Sequence, residues 1–259
     1  MPAANMMNET DICLFLFFCT RFTPDRRGCK GWFFTQGYKM KTVVFDLDGT
    51  LADTSADLLA AANACFVQLG HGVVLDQRDV LVAFHGGRAM LRAGFDRLGV
   101  GYSEADIAAQ YPVLLAAYAD GIDVHTRMYP GAVEAVEALL TAGYRTAICT
   151  NKPEGLAVEL VKRLGVSHLF GALVGADTLP VRKPDPAPYV EVVRRVGGAV
   201  GRSMLIGDTE TDRLTGLAAG VPVALVTFGP EGAGVARLEP EALLHRFEDL
   251  PGLVARLLA

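Results

Sequence analysis

Short runs of apolar residues recur along the chain from residue 42 onward, with little alternation between apolar and polar positions. The runs lie at 42–45, 145–149, 172–175, 203–207 and 222–227. Runs this short and rich in β-branched residues are typical of strands buried on both faces of a parallel sheet. Between them apolar residues repeat at helical spacing, as at Val133, Val136 and Leu140. The pattern predicts an α/β fold built on a doubly wound parallel sheet.

One long stretch interrupts this alternation of strands and helices. From Thr54 to Arg127 the apolar positions indicate helices only. The simplest interpretation is an all-helical domain, residues 54–127, inserted just after the first strand. The sheet domain would then consist of residues 40–53 and 128–259.

The first 39 residues do not share either pattern. Their apolar run at 12–19 is far shorter than a membrane span, and it follows Glu9 and Asp11 where a secretory signal would carry positive charge. Met40 stands directly before the first predicted strand. We therefore expect Met40 to be the natural start and residues 1–39 to be an atypical N-terminal extension; a degenerate targeting segment is the alternative.

Composition narrows the classes of partner. The 259 residues are 51% hydrophobic and carry a formal net charge of -5, so no broad basic surface is available for nucleic acid. The five cysteines form no CxxC pair, which argues against a zinc site or a disulfide framework. We expect a cytoplasmic protein that acts on a small ligand, with no membrane or nucleic-acid partner. The oligomeric state is left open.

Acidic and polar residues follow four of the predicted strands, at the edge where ligands bind in an open parallel sheet. They are Asp46, Asp48 and Thr50 after the first strand, Thr150 and Asn151 after the second, Lys183 after the third, and Asp208 and Asp212 after the fourth. Several carboxylates at one edge require a hard cation such as Mg²⁺, which prefers oxygen ligands and bridges to phosphate. The set therefore predicts a phosphoryl-transfer site.

Each residue type fits a step of that chemistry. Asp46, at the end of a rigid strand, is the candidate nucleophile, and Asp48 is close enough to act as general acid and base. Asp46 and Asp208 supply oxygens for the cation, and the Asp48 carbonyl is a further candidate ligand. The Thr150 hydroxyl and the Lys183 ammonium would bind the phosphoryl oxygens.

Several of these residues also fit purely structural roles. Thr150 and Asn151 could cap a helix, and Asp185 could do the same for the next one. Thr209 and Asp212 fit a capping box, so Asp212 is left between a helix cap and a metal ligand. The joint occurrence of all these groups at equivalent strand ends favours the chemical interpretation.

Four segments resemble, in order, the four motifs of the haloacid dehalogenase (HAD) superfamily. They are DLDGTLADT (46–54), ICTNKP (148–153), VRKPDPAP (181–188) and GDTETD (207–212), and the resemblance covers residues 40–259. It implies a Rossmann-like core with a helical cap that closes over the substrate. It further implies Asp46 as nucleophile, Asp48 as acid and base, Thr150 and Lys183 as phosphate ligands, and Mg²⁺ bound by Asp46, the Asp48 carbonyl and Asp208.

The sequence is most similar to the phosphoglycolate phosphatase branch, which implies 2-phosphoglycolate as substrate. Gly216 departs from that branch, where alanine is usual. In the insert, AFHGGRAML (83–91) is a candidate substrate-facing loop in which His85 and Arg88 could meet a substrate carboxylate, although a plain turn between helices fits as well. Asn151 is a further candidate for substrate binding.

Other functions remain as alternatives. A HAD phosphatase or phosphomutase for sugar phosphates or nucleotides shares these motifs, and a catalytically silent HAD-like binding protein is the non-enzyme alternative. A true dehalogenase would not need Asp48. A receiver domain would lack the insert, and a dinucleotide-binding enzyme would have a glycine-rich turn after the first strand.

Overall fold

The structure, a computed structural model, describes residues 40–259; the N-terminal extension expected at residues 1–39 lies outside them. In this part of the chain the strands are β1 Met40–Phe45, β2 Ala52–Asp53, β3 Arg127–Met128, β4 Arg145–Cys149, β5 Leu173–Val174, β6 Gly198–Gly207, β7 Val223–Val226 and β8 Ala242–Leu244. The helices are α1 Ser55–Gln68, α2 Val80–Ala83, α3 Gly87–Leu98, α4 Glu104–Asp120, α5 Ala132–Thr141, α6 Glu154–Arg163, α7 Ala187–Arg195, α8 Glu210–Ala219 and α9 Leu250–Leu257.

Six strands form one parallel sheet in the order β5-β4-β1-β6-β7-β8. β1 lies in the middle, and Phe45 at its end pairs with Ile148 of β4 and Ile206 of β6. After β1 the chain forms β4 and β5 on one side of it and then crosses to form β6 on the other side, so a crevice opens at the carboxyl ends of these strands. The predicted doubly wound parallel sheet is confirmed.

Alternate residues of β1 bury into opposite faces of the sheet. Val43 and Phe45 belong to the apolar cluster that contains residues of α5, α6 and α9, and Val44 belongs to the cluster that contains residues of α7 and α8. Because both faces are covered, the strands read as continuous apolar runs.

Helices α1 to α4 pack against one another around aromatic and aliphatic side chains. Phe66 of α1 meets Phe95 of α3 edge-on at 5.3 Å between ring centroids. Gly94 makes this possible, because a Cβ placed there would lie 2.1 Å from the Phe66 ring. Ile107 and Leu114 of α4 complete this buried group. We call α1 to α4 the insert helices.

The chain enters and leaves the insert helices side by side. β2 and β3 pair antiparallel, with Ala52 opposite Met128 and Asp53 opposite Arg127. Next to them the buried Asp57 carboxylate accepts hydrogen bonds from the backbone N–H groups of His125 and Thr126 at 2.8 to 3.0 Å. The two crossings are therefore held together by a strand pair and a carboxylate.

The sequence pattern missed several strands. β8, at the sheet edge, was not expected. It has only three residues and lies between polar segments, which is too short for a periodic pattern to be recognised. β2 and β3, two residues each, were missed for the same reason, and β3 begins at Arg127, inside the predicted helical stretch. β6 begins at Gly198, not 203, and its register against β1 shifts between Met40 and Thr42.

Candidate active site

The carboxyl ends of the central strands bring the predicted residues together. Asp46 follows β1, Thr150 follows β4 and Asp208 follows β6, while Lys183 comes from the segment between β5 and α7. The backbone N–H of Asp46 donates to the carbonyl of Ile206 at 2.9 Å, which extends the pairing of β1 with β6 up to the site. A cavity of about 550 Å³ opens here.

Lys183 lies between two carboxylates and is almost completely buried. Its Nζ is 3.0 Å from Asp46 Oδ2 and 2.6 Å from Asp212 Oδ1. Burial alone would lower the pKa of Lys183, but Asp212 and Asp46 raise it above its usual value. The lysine therefore stays protonated and presents a fixed positive charge beside Asp46.

Asp46 is held in place through both of its carboxylate oxygens. Oδ1 accepts a hydrogen bond from the backbone N–H of Leu47 at 2.7 Å, and Oδ2 faces Lys183. Burial raises the pKa of Asp46 to about 6, against the opposing effect of Lys183. At neutral pH the carboxylate is mainly ionised, as a nucleophile must be.

Asp208 has one satisfied oxygen and one unsatisfied oxygen. Oδ1 accepts from the Thr50 hydroxyl at 2.8 Å, whereas the buried Oδ2 has no hydrogen-bond partner in residues 40–259. Burial, with Asp212 and Asp46 nearby, raises the pKa of Asp208 well above its usual value. Gly49, at φ +79°, approaches so closely that a Cβ there would lie 2.4 Å from this Oδ2.

These carboxylates fit a divalent cation. Oxygens of Asp46, Asp208 and Asp212 lie within 4.8 Å of one another. An unpartnered buried carboxylate oxygen is costly unless a cation or a proton compensates it. Hard oxygen donors in this number are what Mg²⁺ takes from a protein.

Asp212 has the capping role that the sequence left open. Its Oδ2 accepts from the backbone N–H and the hydroxyl of Thr209, which forms the predicted capping box at the start of α8. The other oxygen pairs with Lys183. Asp212 thus fixes the lysine and the helix start together.

Thr150 and Asn151 both lie at the cavity, and their side chains form hydrogen bonds with the backbone of loops that carry other site residues. The Thr150 hydroxyl oxygen accepts from the backbone N–H of Lys152 at 3.1 Å. Asn151 donates to the carbonyl of Lys183 at 3.0 Å, so it ties the second and third motif segments together. The Asp185 carboxylate accepts a hydrogen bond from the N–H of Ala187, the first residue of α7, although Pro186 and not Asp185 holds the N-cap position.

Asp48 is surrounded by groups that the sequence reasoning did not single out. Its Oδ1 lies 2.6 Å from Lys152 Nζ and accepts from the Thr54 hydroxyl at 2.8 Å. Lys152 in turn lies 2.7 Å from the Tyr118 hydroxyl of α4. Lys152 directly follows Thr150 and Asn151 in the second motif, so its position in the sequence could have indicated a site residue. The sequence around Tyr118 contains no comparable motif.

His85 and Arg88 lie at the rim of the same cavity, His85 between α2 and α3 and Arg88 in the first turn of α3, so the predicted loop at 83–91 is helical from Gly87 onward. Both are exposed, and the Arg88 guanidinium stacks over the Tyr111 ring at 4.6 Å. The segment turns at Gly86, where φ is +92°. A positively charged side chain thus faces the cavity from the insert helices.

Comparison with known proteins places the chain in a family. Residues 40–220 match the model of the haloacid dehalogenase-like hydrolases, and the chain belongs to this family. It is 38% identical over 208 residues to a phosphoglycolate phosphatase of Mesorhizobium japonicum, covering 80% of this chain and 92% of the relative. A phosphoglycolate phosphatase of Agrobacterium fabrum is 37% identical over 218 residues, covering 83% and 93%.

Solved structures share the fold. A predicted phosphoglycolate phosphatase from Haemophilus somnus superposes with a TM-score of 0.74 at 24% identity, covering 83% of this chain and 97% of that one. A hydrolase from Pseudomonas syringae gives a TM-score of 0.68 at 20% identity, covering 85% and 100%. The predicted family, its phosphoglycolate phosphatase-like branch and the predicted class of phosphoric monoester hydrolase are confirmed by these matches.

Membrane insertion was not expected, and no helix within residues 40–259 has the length and apolar character to cross a bilayer.

Proposed function

We propose that this phosphoric monoester hydrolase is a Mg²⁺-dependent phosphatase that converts 2-phosphoglycolate to glycolate through a phosphorylated Asp46. The observation that carries the proposal is the contact of 3.0 Å between Asp46 Oδ2 and the buried Lys183, next to the unpartnered oxygen of Asp208. This contact places an ionised nucleophile beside a fixed cation that can bind the phosphoryl group. The unpartnered Asp208 oxygen next to them is free to bind a metal ion.

In the first step an Asp46 oxygen attacks phosphorus while the bond to the leaving oxygen breaks. Asp48 gives its proton to that oxygen, so glycolate leaves as the alcohol. In the second step water attacks phosphorus, Asp48 takes the water's proton, and the bond to Asp46 breaks to release phosphate. Asp46 and protonated Asp48 are then regenerated.

Lys183 and Thr150 support both steps by binding the phosphoryl oxygens. Lys183 keeps its charge because Asp46 and Asp212 flank it. Fixed donors at the place where negative charge concentrates lower the barrier without having to reorient. We propose that Asn151 contributes by holding the Lys183 loop, through its bond to the Lys183 carbonyl.

We propose that Asp46, the Asp48 carbonyl and Asp208 hold Mg²⁺. When bound, the ion would neutralise phosphate charge and orient the substrate. Asp208 has the free oxygen for it, and Thr50 fixes the other oxygen of that carboxylate. Asp212 already has partners for both oxygens.

We propose that the insert helices, within residues 54–127, act as a cap over the substrate, and that His85 and Arg88 bind the substrate carboxylate. Arg88 is exposed at the cavity rim, and the Tyr111 ring beneath it limits its freedom. The relatives named phosphoglycolate phosphatase support this substrate. The proposed site of action is the cytoplasm.

A hydrolysis screen tests the substrate. Purified protein is assayed for phosphate release from 2-phosphoglycolate, sugar phosphates and nucleotides, each with Mg²⁺ and with a chelator. We expect the highest kcat/KM on 2-phosphoglycolate and loss of activity with the chelator. Fast turnover of a sugar phosphate beside negligible release from 2-phosphoglycolate would overturn the substrate, and full activity with the chelator would overturn the metal.

A further inference from the structure

Lys152 is a buried cation that the mechanism above does not use. Its side chain is 3% exposed, and lysine is almost never buried to this extent without a partner. It follows Thr150 and Asn151 at the end of β4, so the rigid sheet sets its backbone position. A second buried lysine at the site, besides Lys183, calls for a function.

The contacts of Lys152 lead to the proposed acid and base. Its Nζ donates to Asp48 Oδ1 at 2.6 Å and lies 2.7 Å from the Tyr118 hydroxyl. The ammonium also stands over the Tyr118 ring, 4.3 Å from its centroid. Tyr118 belongs to α4, so one of the insert helices contacts the end of β4 in the sheet domain through this residue.

The two oxygens of Asp48 are not equivalent. Lys152 and the Thr54 hydroxyl both donate to Oδ1, and Oδ2 receives no hydrogen bond from any residue in the described part of the chain. Asp48 borders the cavity, and its side chain is 18% exposed. One oxygen is anchored and the other is left for proton transfer.

We propose that Lys152 is a positioning residue that anchors Asp48 through Oδ1, so that Oδ2 exchanges the proton with the leaving oxygen, and that Tyr118 holds Lys152 in this place. This rests on the proposed function, since it assigns Asp48 as acid and base. An aspartate without the anchor would rotate among side-chain conformers, and a misplaced proton donor loses much of its effect.

The leaving group provides the test. A poor alcohol leaving group needs the proton from Asp48, whereas 4-nitrophenolate leaves without one. Three substrates are compared in the full chain with Mg²⁺: 2-phosphoglycolate, 2-hydroxyethyl phosphate, which replaces the carboxylate by a neutral group, and 4-nitrophenyl phosphate. The readout is kcat/KM, which reports the steps up to departure of the leaving group.

Lys152→Met should lower kcat/KM by about 100-fold on both alkyl phosphates and by less than about tenfold on 4-nitrophenyl phosphate, within the range that acid–base groups contribute. Tyr118→Phe should act in the same direction by about 2- to 10-fold, the effect of one hydrogen bond. Lys152→Arg, which keeps the charge and a donor, should recover part of the alkyl phosphatase activity.

Matched controls lie elsewhere in the chain. Lys162→Met removes an exposed lysine of α6, and Tyr144→Phe removes the hydroxyl of a half-buried tyrosine before β4. Both should keep wild-type kcat/KM on all three substrates. Melting curves show whether each variant is folded. If Lys152→Met does not fold, the comparison of the three substrates is made with Tyr118→Phe instead.

Three results would overturn the positioning role: equal losses on all three substrates, a loss confined to 2-phosphoglycolate, which would make Lys152 a ligand of the carboxylate, or no loss at all. Failure of the proposed function has a different signature, because the wild type itself would then not hydrolyse 2-phosphoglycolate. The comparison in that case uses the alkyl phosphate that the wild type hydrolyses fastest.

Discussion

At the scale of single residues, the site concentrates negative charge that the protein compensates only in part. Asp46, Asp208 and Asp212 bring their oxygens within 4.8 Å of one another, and Lys183 contacts two of them. Burial raises the pKa of Asp46 to about 6 and that of Asp208 well above its usual value. Without a cation, the ionised forms of Asp46 and Asp208 are therefore disfavoured in the folded protein.

This effect predicts how Mg²⁺ stabilises the protein at different pH. A carboxyl group whose pKa is raised on folding binds more protons when folded, so the free energy of unfolding falls as pH rises from about 3.8 to about 6. Mg²⁺ requires the deprotonated carboxylates. The Mg²⁺-induced rise in melting temperature should therefore be large at pH 7.5 and small at pH 5, as measured by thermal unfolding with Mg²⁺ and with a chelator. An equal rise at both pH values would contradict it.

Asp208→Asn tests the proposed metal ligand. The amide keeps the acceptor for Thr50 but removes the buried charge. Without metal, we expect the variant to melt at a higher temperature than the wild type. We expect its affinity for Mg²⁺ to be at least about 10- to 100-fold lower, since the loss of an outer-shell partner already has an effect of that size. Thermal unfolding in a Mg²⁺ titration measures both. A variant that Mg²⁺ still stabilises as strongly as wild type would exclude Asp208 as a ligand.

The residues that could be predicted from the sequence are those next to strand ends. Asp46, Thr150 and Asp208 directly follow apolar runs, and parallel strands bring their carboxyl ends to one edge. The contact of Lys152 with Tyr118 could not be predicted, because it depends on where α4 lies relative to β4. Local patterns carry no information on that distance.

At the scale of elements, Gly216 shows how a helix fits the sheet. As a residue inside a helix, Gly216 costs about 1 kcal/mol of propensity relative to alanine. In the structure a Cβ at Gly216 would lie 2.0 Å from Val223 Cγ2 of β7. The glycine lets α8 lie close against β7, and α8 begins with the capping box that holds Asp212.

Gly216→Ala should therefore destabilise the protein by about 1 to 3 kcal/mol through overpacking, despite the better helix propensity. Gly252→Ala is the matched control, because Gly252 lies in α9 with no atom within 4 Å of its added Cβ. It should stabilise by about 0.5 to 1 kcal/mol. Urea unfolding measures both. Two changes of the same sign would refute this packing.

Elements with a strong local signal were predicted well, and weak ones were missed. β4 agrees residue by residue with the run at 145–149, since it is apolar and well bounded. β8 pairs with β7 at the sheet edge, and its three residues are recognisable only through that pairing. The early start of β6 at Gly198 likewise depends on pairing with Met40.

At the scale of the whole molecule, the insert helices are attached to the sheet domain by two adjacent crossings. The Asp57 carboxylate, at the start of α1, accepts from His125 and Thr126 near the second crossing. The order of strands and helices along the chain predicted that an insert exists. The pairing of its two ends could not be predicted, because the partners are separated by nearly the whole insert.

Asp57→Ala should destabilise the protein by about 2 to 4 kcal/mol, because it leaves several buried donors without an acceptor. Asp120→Ala, at an exposed aspartate at the end of α4, is the control and should change stability by less than about 0.5 kcal/mol. Thermal and urea unfolding measure the difference. Similar effects from both substitutions would show that Asp57 does not hold the crossings together.

Covalent transfer through Asp46 is tested most directly by mass spectrometry of the Asp48→Asn variant mixed with 4-nitrophenyl phosphate and Mg²⁺. The good leaving group departs without the acid, but water cannot be activated without the base, so the phosphorylated enzyme should accumulate. The predicted result is one phosphoryl group on the peptide that contains Asp46, absent from the Asp46→Asn/Asp48→Asn double variant. A phosphoryl group on another residue, or phosphate release from the double variant, would contradict the mechanism.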